Sequence, residues 1–182
     1  MGDKDKVIIG YFSGSNTHSR DFELIADTLA AVMKKREQVY LKIVGCLELP
    51  ECFAGVEDRI IREGFMDWTE LPASIAACDI NLMPLEDTFF HRCKSENKWM
   101  EAALVGVATI GSSNDELEGA TKNGENVFLC KTTEEWEEKL LILVDDEKTR
   151  KNMAAKAHAY VMEHKTTLSE HEALKKFVFS VK

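Results

Sequence analysis

"ELPASIAACDINLMPL", residues 70–85, places a short helical pattern directly before a short apolar run. Pro72 falls in the first turn of the predicted helix (70–78), where its missing amide hydrogen has no helical partner to lose. The run over 79–85 lacks the alternation of a half-exposed strand and is typical of a strand buried on both faces. This stretch therefore predicts a helix followed by a strand of a buried parallel sheet.

The same alternation extends along the chain in both directions. Further apolar runs predict strands at 6–13, 39–45, 59–65, 107–112 and 126–130. Apolar residues at helical spacing predict helices at 21–36, 94–105, 133–146, 147–164 and 168–179. We therefore expect one α/β domain over residues 1–182, built on a doubly wound parallel sheet of about six strands with helices on both faces. Ligands of such sheets bind beyond the carboxyl ends of the strands.

Composition narrows the classes of function. The net charge of −9, with no compensating lysine–arginine stripe, argues against nonspecific nucleic-acid binding. The five cysteines are scattered and never spaced as CxxC, which favours reduced thiols in the cytoplasm over disulfides or zinc. No apolar run approaches the roughly 20 residues that span a bilayer. No Asp-x-Asp pair follows a strand, so we expect no metal.

The loop after the first predicted strand, "SGSNTHSRDF" (13–22), is rich in small residues and carries Arg20 at the start of the next helix. Small residues let backbone N–H groups approach an anion, and the helix N-terminus adds its dipole. The alternative is a polar turn capped by Ser or Thr. The loop is neither GxGxxG nor a P-loop, so the common nucleotide fingerprints are absent.

The stretch "KSENKWMEA" (94–102) begins a predicted helix with Lys94 and Lys98, although a helix N-terminus disfavours positive charge. Arg92 adds a third cation. A bound diphosphate would make all three favourable, and Glu101 could accept hydrogen bonds from sugar hydroxyls. The alternative is a solvated face on which Lys98 and Glu101 form a pair worth ~0.3 kcal/mol.

Two further expectations concern packing. Trp68 and Trp136 are predicted to be packing residues, and the segment 112–126 is predicted to be a loop that could border the same crevice. The opposite side of the 94–105 helix is predicted to pack on the sheet through Trp99, Met100, Ala103 and Leu104.

The ordered set "EGFMDWTELPASIAACDINLMPLED", "KSENKWMEAALVGVATIGSS" and "ATKNGENVFLC" resembles the C-terminal, donor-binding domain of GT-B glycosyltransferases of the group 1, or family 4, type. The resemblance covers nearly the whole chain. The common motif has a second Glu eight positions before Glu101, followed by Gly-Phe-Gly. Here Cys93 replaces that Glu and "KSE" follows, which is similar to a subgroup of the superfamily.

The resemblance implies a Rossmann-like domain that binds a nucleotide-diphosphate sugar. Glu101 matches the glutamate that holds the donor ribose, and the Phe65–Met66 backbone matches the nucleobase contact. The diphosphate and sugar would be held by Lys94, Ser95 and Lys98, and from the first loop by Ser13, Gly14, Ser15 and Arg20. Arg92 joins this set by its charge. No catalytic residue is identified.

The implied activity is that of a retaining, hexosyltransferase-like enzyme that uses no cofactor beyond its donor substrate. Its acceptor would be held by an N-terminal domain of a longer parent chain, to which a C-terminal helix at about 166–182 would cross. Without that domain the chain would bind donor but not transfer sugar, and any membrane contact would come from the missing part. The alternatives are a stand-alone nucleotide-sugar-binding or sensing module and half of a sugar-nucleotide epimerase.

Overall fold

The computed structural model describes residues 6–13, 19–89 and 95–180, and within them a six-stranded sheet. The strands are β1 Val7–Ser13, β2 Val39–Gly45, β3 Ile60–Glu63, β4 Ile80–Met83, β5 Ala108–Ser112 and β6 Phe128–Cys130. Every neighbouring pair is parallel. The prediction of a doubly wound, Rossmann-like parallel sheet of about six strands is confirmed.

Seven α-helices are described around the sheet. They are α1 Ser19–Lys35, α2 Leu71–Ala76, α3 Asn97–Leu104, α4 Asp115–Ala120, α5 Thr133–Asp145, α6 Glu147–His164 and α7 Thr167–Ser180. Two 3-10 turns, Glu51–Phe53 and Glu57–Arg59, lie between β2 and β3. Helices α1 and α5 pack together on one face of the sheet, and α2, α3 and α6 cover the other. Helix α4 was not predicted: it lies in the segment 112–126, which was expected to be a loop.

The core forms because alternate residues of each strand meet helices on opposite faces. In β1, Ile9 and Tyr11 are fully buried against α1 and its neighbours, whereas Phe12 packs on the opposite side with Ile75 of α2. A parallel strand covered on both faces must be apolar on both. This explains why the apolar runs in the sequence are continuous.

The predicted tryptophan and helix contacts have mixed outcomes. Trp99 is fully buried and Trp136 nearly so, as predicted. Trp68 is 79% exposed, so the prediction that it packs is wrong, because the loop after β3 turns away from the core. Leu104 is 44% exposed, so its predicted packing is also wrong: the inward face of α3 is formed by Trp99, Ala102 and Ala103.

The strand order is β3-β2-β1-β4-β5-β6, so the chain changes direction of winding between β1 and β4. The connections that leave β1 and β4 therefore go to opposite sides of the sheet. In this fold class, ligands bind in a crevice at the carboxyl ends of the strands on either side of such a change. Five of the seven predicted site residues that the structure describes lie at these ends.

The described thiols fit the expectation of reduced cysteines. Cys46, Cys52, Cys78 and Cys130 are all free. Burial raises the pKa of Cys78 and of Cys130 to about 12, so both remain protonated. No helix in the part of the chain that the structure describes is long and apolar enough to cross a bilayer.

Candidate functional site

The end of β1 is held very close to the end of β2. Ser13 is buried, and its hydroxyl donates a hydrogen bond to the carbonyl oxygen of Cys46 at 3.3 Å. Its register partner Gly45 has φ +97°, and a Cβ at that position would lie 2.0 Å from the carbonyl oxygen of Ser13. Only glycine fits there, so the point at which the chain enters the first loop is fixed.

The start of α1 contributes two charged residues that behave differently. Arg20, the second residue of α1, is exposed. Asp21 is fully buried, and its Oδ1 accepts a hydrogen bond from the backbone N–H of Glu86 at 3.0 Å. Asp21 thus connects the start of α1 to the loop after β4, across the change of winding. Sequence reasoning missed Asp21, because an acid in the first turn of a helix is ordinary and its burial depends on tertiary packing.

Lys98 lies in the first turn of α3, and its ammonium group is buried at the same edge of the sheet. Its Nζ lies 5.1 Å from the centroid of the Tyr11 ring, an arrangement in which the ring face stabilises the cation. Burial, and then the charge of Asp21, raise the pKa of the Tyr11 hydroxyl far above its ordinary value. Tyr11 is therefore neutral, and its ring faces the Lys98 ammonium as an uncharged group.

Asn81 holds the backbone of Lys98 in place from the sheet. Its side-chain amide donates to the carbonyl oxygen of Lys98 and to the hydroxyl of Thr109, each at 3.2 Å. Asn81 is 2% exposed, so both bonds are shielded from water. A buried amide whose nitrogen donates to both α3 and β5 makes the position of α3 relative to the sheet specific.

Glu101 lies one turn beyond Lys98 with its side chain exposed. Partial burial raises the pKa of its carboxyl, and the charge of Lys98 acts in the opposite direction. The sequence expectation that the two residues share one side of the helix is consistent with this electrostatic coupling. Ser95 is exposed just before α3.

The segment after β3 presents exposed aromatic surface beside α2. Phe65 is 78% exposed and Met66 is half-buried. Asp67 accepts hydrogen bonds from the backbone N–H of Thr69 at 2.9 Å and from its hydroxyl at 2.6 Å, which orders the turn. Phe65, with Trp68, therefore stands on an ordered turn rather than in the core.

Four of the predicted site residues, Gly14, Ser15, Arg92 and Lys94, lie outside the described residues. The others divide into two groups. Ser13, Arg20, Ser95, Lys98 and Glu101 belong to the ends of β1 and β4 and the helices that follow them. Phe65 and Met66 follow β3, which is separated from β4 by the two strands β2 and β1.

A separate cavity of about 520 Å³ opens beyond the ends of β5 and β6. Its lining includes Ser113, Glu118, Lys131 and Trp136. Lys131 pairs with Glu118 at 3.0 Å. None of the predicted site residues that the structure describes lines this cavity, although the 112–126 segment does border it. Within the described ranges, no group of three or more His, Cys, Asp or Glu side chains is placed to hold a metal ion.

Comparison with solved structures finds the same fold in several other proteins. The chain is similar to HepE from Anabaena, solved with UDP and glucose (TM-score 0.78, 18% identity, 97% of this chain and 49% of that one). It is similar to the C-terminal domain of the group 1 glycosyl transferase LpcC from Francisella tularensis (0.64, 18%, 87% and 85%). It is also similar to a TarM variant from S. aureus, solved with fondaparinux, alpha-GlcNAc-glycerol and UDP (0.74, 16%, 94% and 35%).

The chain thus spans about half the length of HepE and most of the single LpcC domain. At these identities the likeness shows a shared fold. No curated protein matches the sequence. The family model for glycosyl transferases group 1 matches residues 6–146, which is well over half of the chain. The chain therefore belongs to the group 1 glycosyltransferases and has the fold of their C-terminal domain.

Proposed function

We propose that this chain binds the nucleotide-diphosphate sugar of a retaining glycosyltransferase, in the crevice between the ends of β1 and β4. The observation that carries the proposal is the ammonium of Lys98. It is held at this edge by a cation–π contact with Tyr11, while Asn81 fixes the backbone of the same residue. A positive charge placed before the ligand arrives needs no reorganisation when negative charge develops on a leaving group.

The diphosphate would meet positive charge from two sides. Lys98 acts from the first turn of α3, and Arg20 from the first turn of α1. The N-terminus of each helix adds partial positive charge and unpaired backbone N–H groups. Arg92 and Lys94 remain predicted ligands of the same group. In the proposed reaction these cations stabilise the nucleoside diphosphate as the bond to the sugar breaks.

The nucleoside would extend from the diphosphate toward α2. Glu101 is exposed one turn beyond Lys98, and its carboxylate oxygens can accept hydrogen bonds from the ribose hydroxyls. The base would lie by the backbone of Phe65 and Met66, on the turn ordered by Asp67. HepE and the TarM variant were each solved with UDP, which makes UDP the first nucleotide to test.

Transfer would require an acceptor-binding N-terminal domain in a longer parent chain. The chain spans about half the length of HepE. Helix α7 supports this proposal, because its exposed apolar side chains suit a contact with another domain. They are Leu174, Phe177, Val178 and Phe179, each more than half exposed. We expect the isolated chain to bind donor without measurable glycosyl transfer.

Calorimetric titration with UDP, GDP, dTDP and ADP tests the proposal. We expect one nucleotide to bind with a Kd between micromolar and millimolar. Lys98→Met should weaken that binding by about tenfold or more, a loss of at least ~1.4 kcal/mol, because it removes the charge while retaining the apolar stem. Failure of all four to bind, or equal affinity in the variant, would refute the site.

Lys151→Met is the matched control. Lys151 is exposed on α6 and pairs with Glu147. The adjacent Arg150 contacts Asp79, just before β4 begins, which places Lys151 toward the opposite edge of the sheet. The control removes the same unit of charge without touching the crevice, so its nucleotide affinity should match the unsubstituted chain. A transfer assay with a simple acceptor completes the test, since turnover would contradict the expected inactivity of the isolated chain.

A further inference from the structure

A nearly buried ion pair joins the start of α3 to the junction between α6 and α7. Glu96 occupies the N-cap position of α3, but its side chain accepts no capping bond from that helix. Its Oε1 instead accepts a hydrogen bond from the Nζ of Lys165 at 2.8 Å. The side chains of Glu96 and Lys165 are 10% and 28% exposed. Lys165 is the C-cap residue of α6, directly after His164, and lies two positions before α7 begins.

The charges of both partners are stabilised by the contact. Burial acts to raise the pKa of the Glu96 carboxyl, but the hydrogen bond and the charge of Lys165, together with a backbone hydrogen bond, outweigh it, and the pKa lies below its ordinary value. The same bond raises the pKa of Lys165. Both groups are therefore ionised near neutral pH, and the pair as a whole adds no net charge to the start of α3.

The first turn of α3 is held from two sides. From the sheet, Asn81 binds the carbonyl oxygen of Lys98. From the end of α6, Lys165 binds Glu96. Trp99, which follows Lys98, is fully buried, and its indole N–H donates to the carbonyl oxygen of Asn126 at 3.0 Å. Loss of the Lys165 contact would remove the constraint on Glu96, two residues before Lys98.

Stability alone does not account for this pair. When an ion pair is buried, the attraction between its charges does little more than offset the cost of removing them from water. Such a pair therefore serves chiefly to fix a specific geometry. A carboxylate at the start of a helix is favourable in the empty protein, but it would repel a diphosphate bound at that terminus. Lys165 removes this conflict, because it neutralises Glu96 and draws its side chain toward α6.

We infer that Lys165 is a positioning residue for the donor site. It holds the first turn of α3 in the orientation that presents Lys98, and it screens the diphosphate from Glu96. The inference rests on the proposed function. It also links the site to the point at which the chain enters α7, the helix with the exposed apolar side chains.

Two measurements on the same variants test the inference. Hydrogen exchange of the peptide covering residues 95–104, without ligand, reports whether the first turn of α3 opens. Calorimetry with UDP reports the effect on the site. In Lys165→Met we expect faster exchange of that peptide and UDP binding weaker by about fivefold or more, equivalent to ~1 kcal/mol. Lys165→Arg should behave like the unsubstituted chain in both.

The double variant Glu96→Gln/Lys165→Met separates the two effects. It lacks the contact, so exchange should stay fast. It also lacks the repelling carboxylate, so UDP affinity should recover in part relative to Lys165→Met. Arg36→Met is the control for loss of an ion pair as such, because Arg36 and Asp145 join α1 to α5 at 2.7 Å. Arg36→Met should change neither the exchange of residues 95–104 nor the affinity for UDP.

Each result decides a separate point. Unchanged exchange of residues 95–104 in Lys165→Met, or unchanged UDP affinity, would overturn the role of Lys165. The same loss of affinity in Arg36→Met would assign the effect to general destabilisation and would also overturn it. If the unsubstituted chain binds no nucleotide, the proposed function fails together with the screening role, and exchange still decides whether Lys165 holds the turn.

Discussion

Gly45→Ala should damage the fold at the point where the proposed donor crevice begins. Gly45 is the last residue of β2 and has φ +97°, a conformation that costs an L-residue roughly 1–2 kcal/mol. The added methyl carbon would also lie 2.0 Å from the carbonyl oxygen of Ser13, so β1 and β2 must separate at their ends. Forced overpacking adds about 1–3 kcal/mol. We expect a total loss of about 2–5 kcal/mol in the free energy of unfolding.

Gly124→Ala is the matched control. Gly124 has φ +82°, but no atom outside its chain neighbours lies within 4 Å of the position of an added Cβ. It should therefore lose only the conformational part, about 1–2 kcal/mol. Urea denaturation followed by circular dichroism gives both values, and the m-values should agree if both variants unfold in one step. Equal losses in the two variants would refute the argument from the contact with Ser13.

Two further changes probe the supports of the site. Trp99→Phe should destabilise the chain by about 2 kcal/mol more than Trp136→Phe, because it also leaves the buried carbonyl of Asn126 without its donor. Among the described residues, the Trp136 indole makes no hydrogen bond. Equal urea midpoints for the two variants would contradict the predicted difference. The hydrogen bond from Lys42, opposed by burial, lowers the pKa of Glu63. The ionised Glu63 carboxylate therefore contributes its full stabilisation above its pKa in the unfolded chain, about 4.3. This stabilisation is lost as the pH falls through the lower pKa of the folded chain. The stability difference between the unsubstituted chain and Glu63→Gln should therefore shrink on acidification, and a constant difference between pH 7 and pH 3 would argue against the pair.

Sequence patterns predicted the sheet because burial on both faces leaves a local signature. Each apolar run became a strand, and the predicted range 39–45 coincides with β2. Helix α4 was missed because a six-residue helix is too short to show periodicity. Its N-terminus is set by one contact, in which the side chain of Asn114 accepts from the backbone N–H of Leu117 at 2.8 Å. Such a cap is indistinguishable in sequence from an ordinary polar turn.

The residues of the site were only partly predictable, since charge can be read from sequence but burial cannot. Lys98 was singled out because its charge opposes the helix dipole, and the structure buries its ammonium beside the Tyr11 ring. Asp21 and Lys165 gave no such signal: one looked like a favourable first-turn acid and the other like a surface lysine. The role of Asp21 depends on its contact with Glu86, which is 65 positions away in the chain. The role of Lys165 depends on its contact with Glu96, which is 69 positions away.

Binding and transfer make different demands on this architecture. To bind a nucleoside diphosphate, the chain must fix positive charge and helix N-termini around one crevice, and a single sheet with a change of winding between β1 and β4 is sufficient. To transfer a sugar, it must also hold an acceptor against the sugar carbon, and the positioning of two reactants contributes about 7–11 kcal/mol to the most favourable cases. Under the proposed function, the crevice between β1 and β4 would fix one reactant. Under the proposed function, the chain therefore retains the donor affinity of the enzyme while lacking the positioning on which its rate depends.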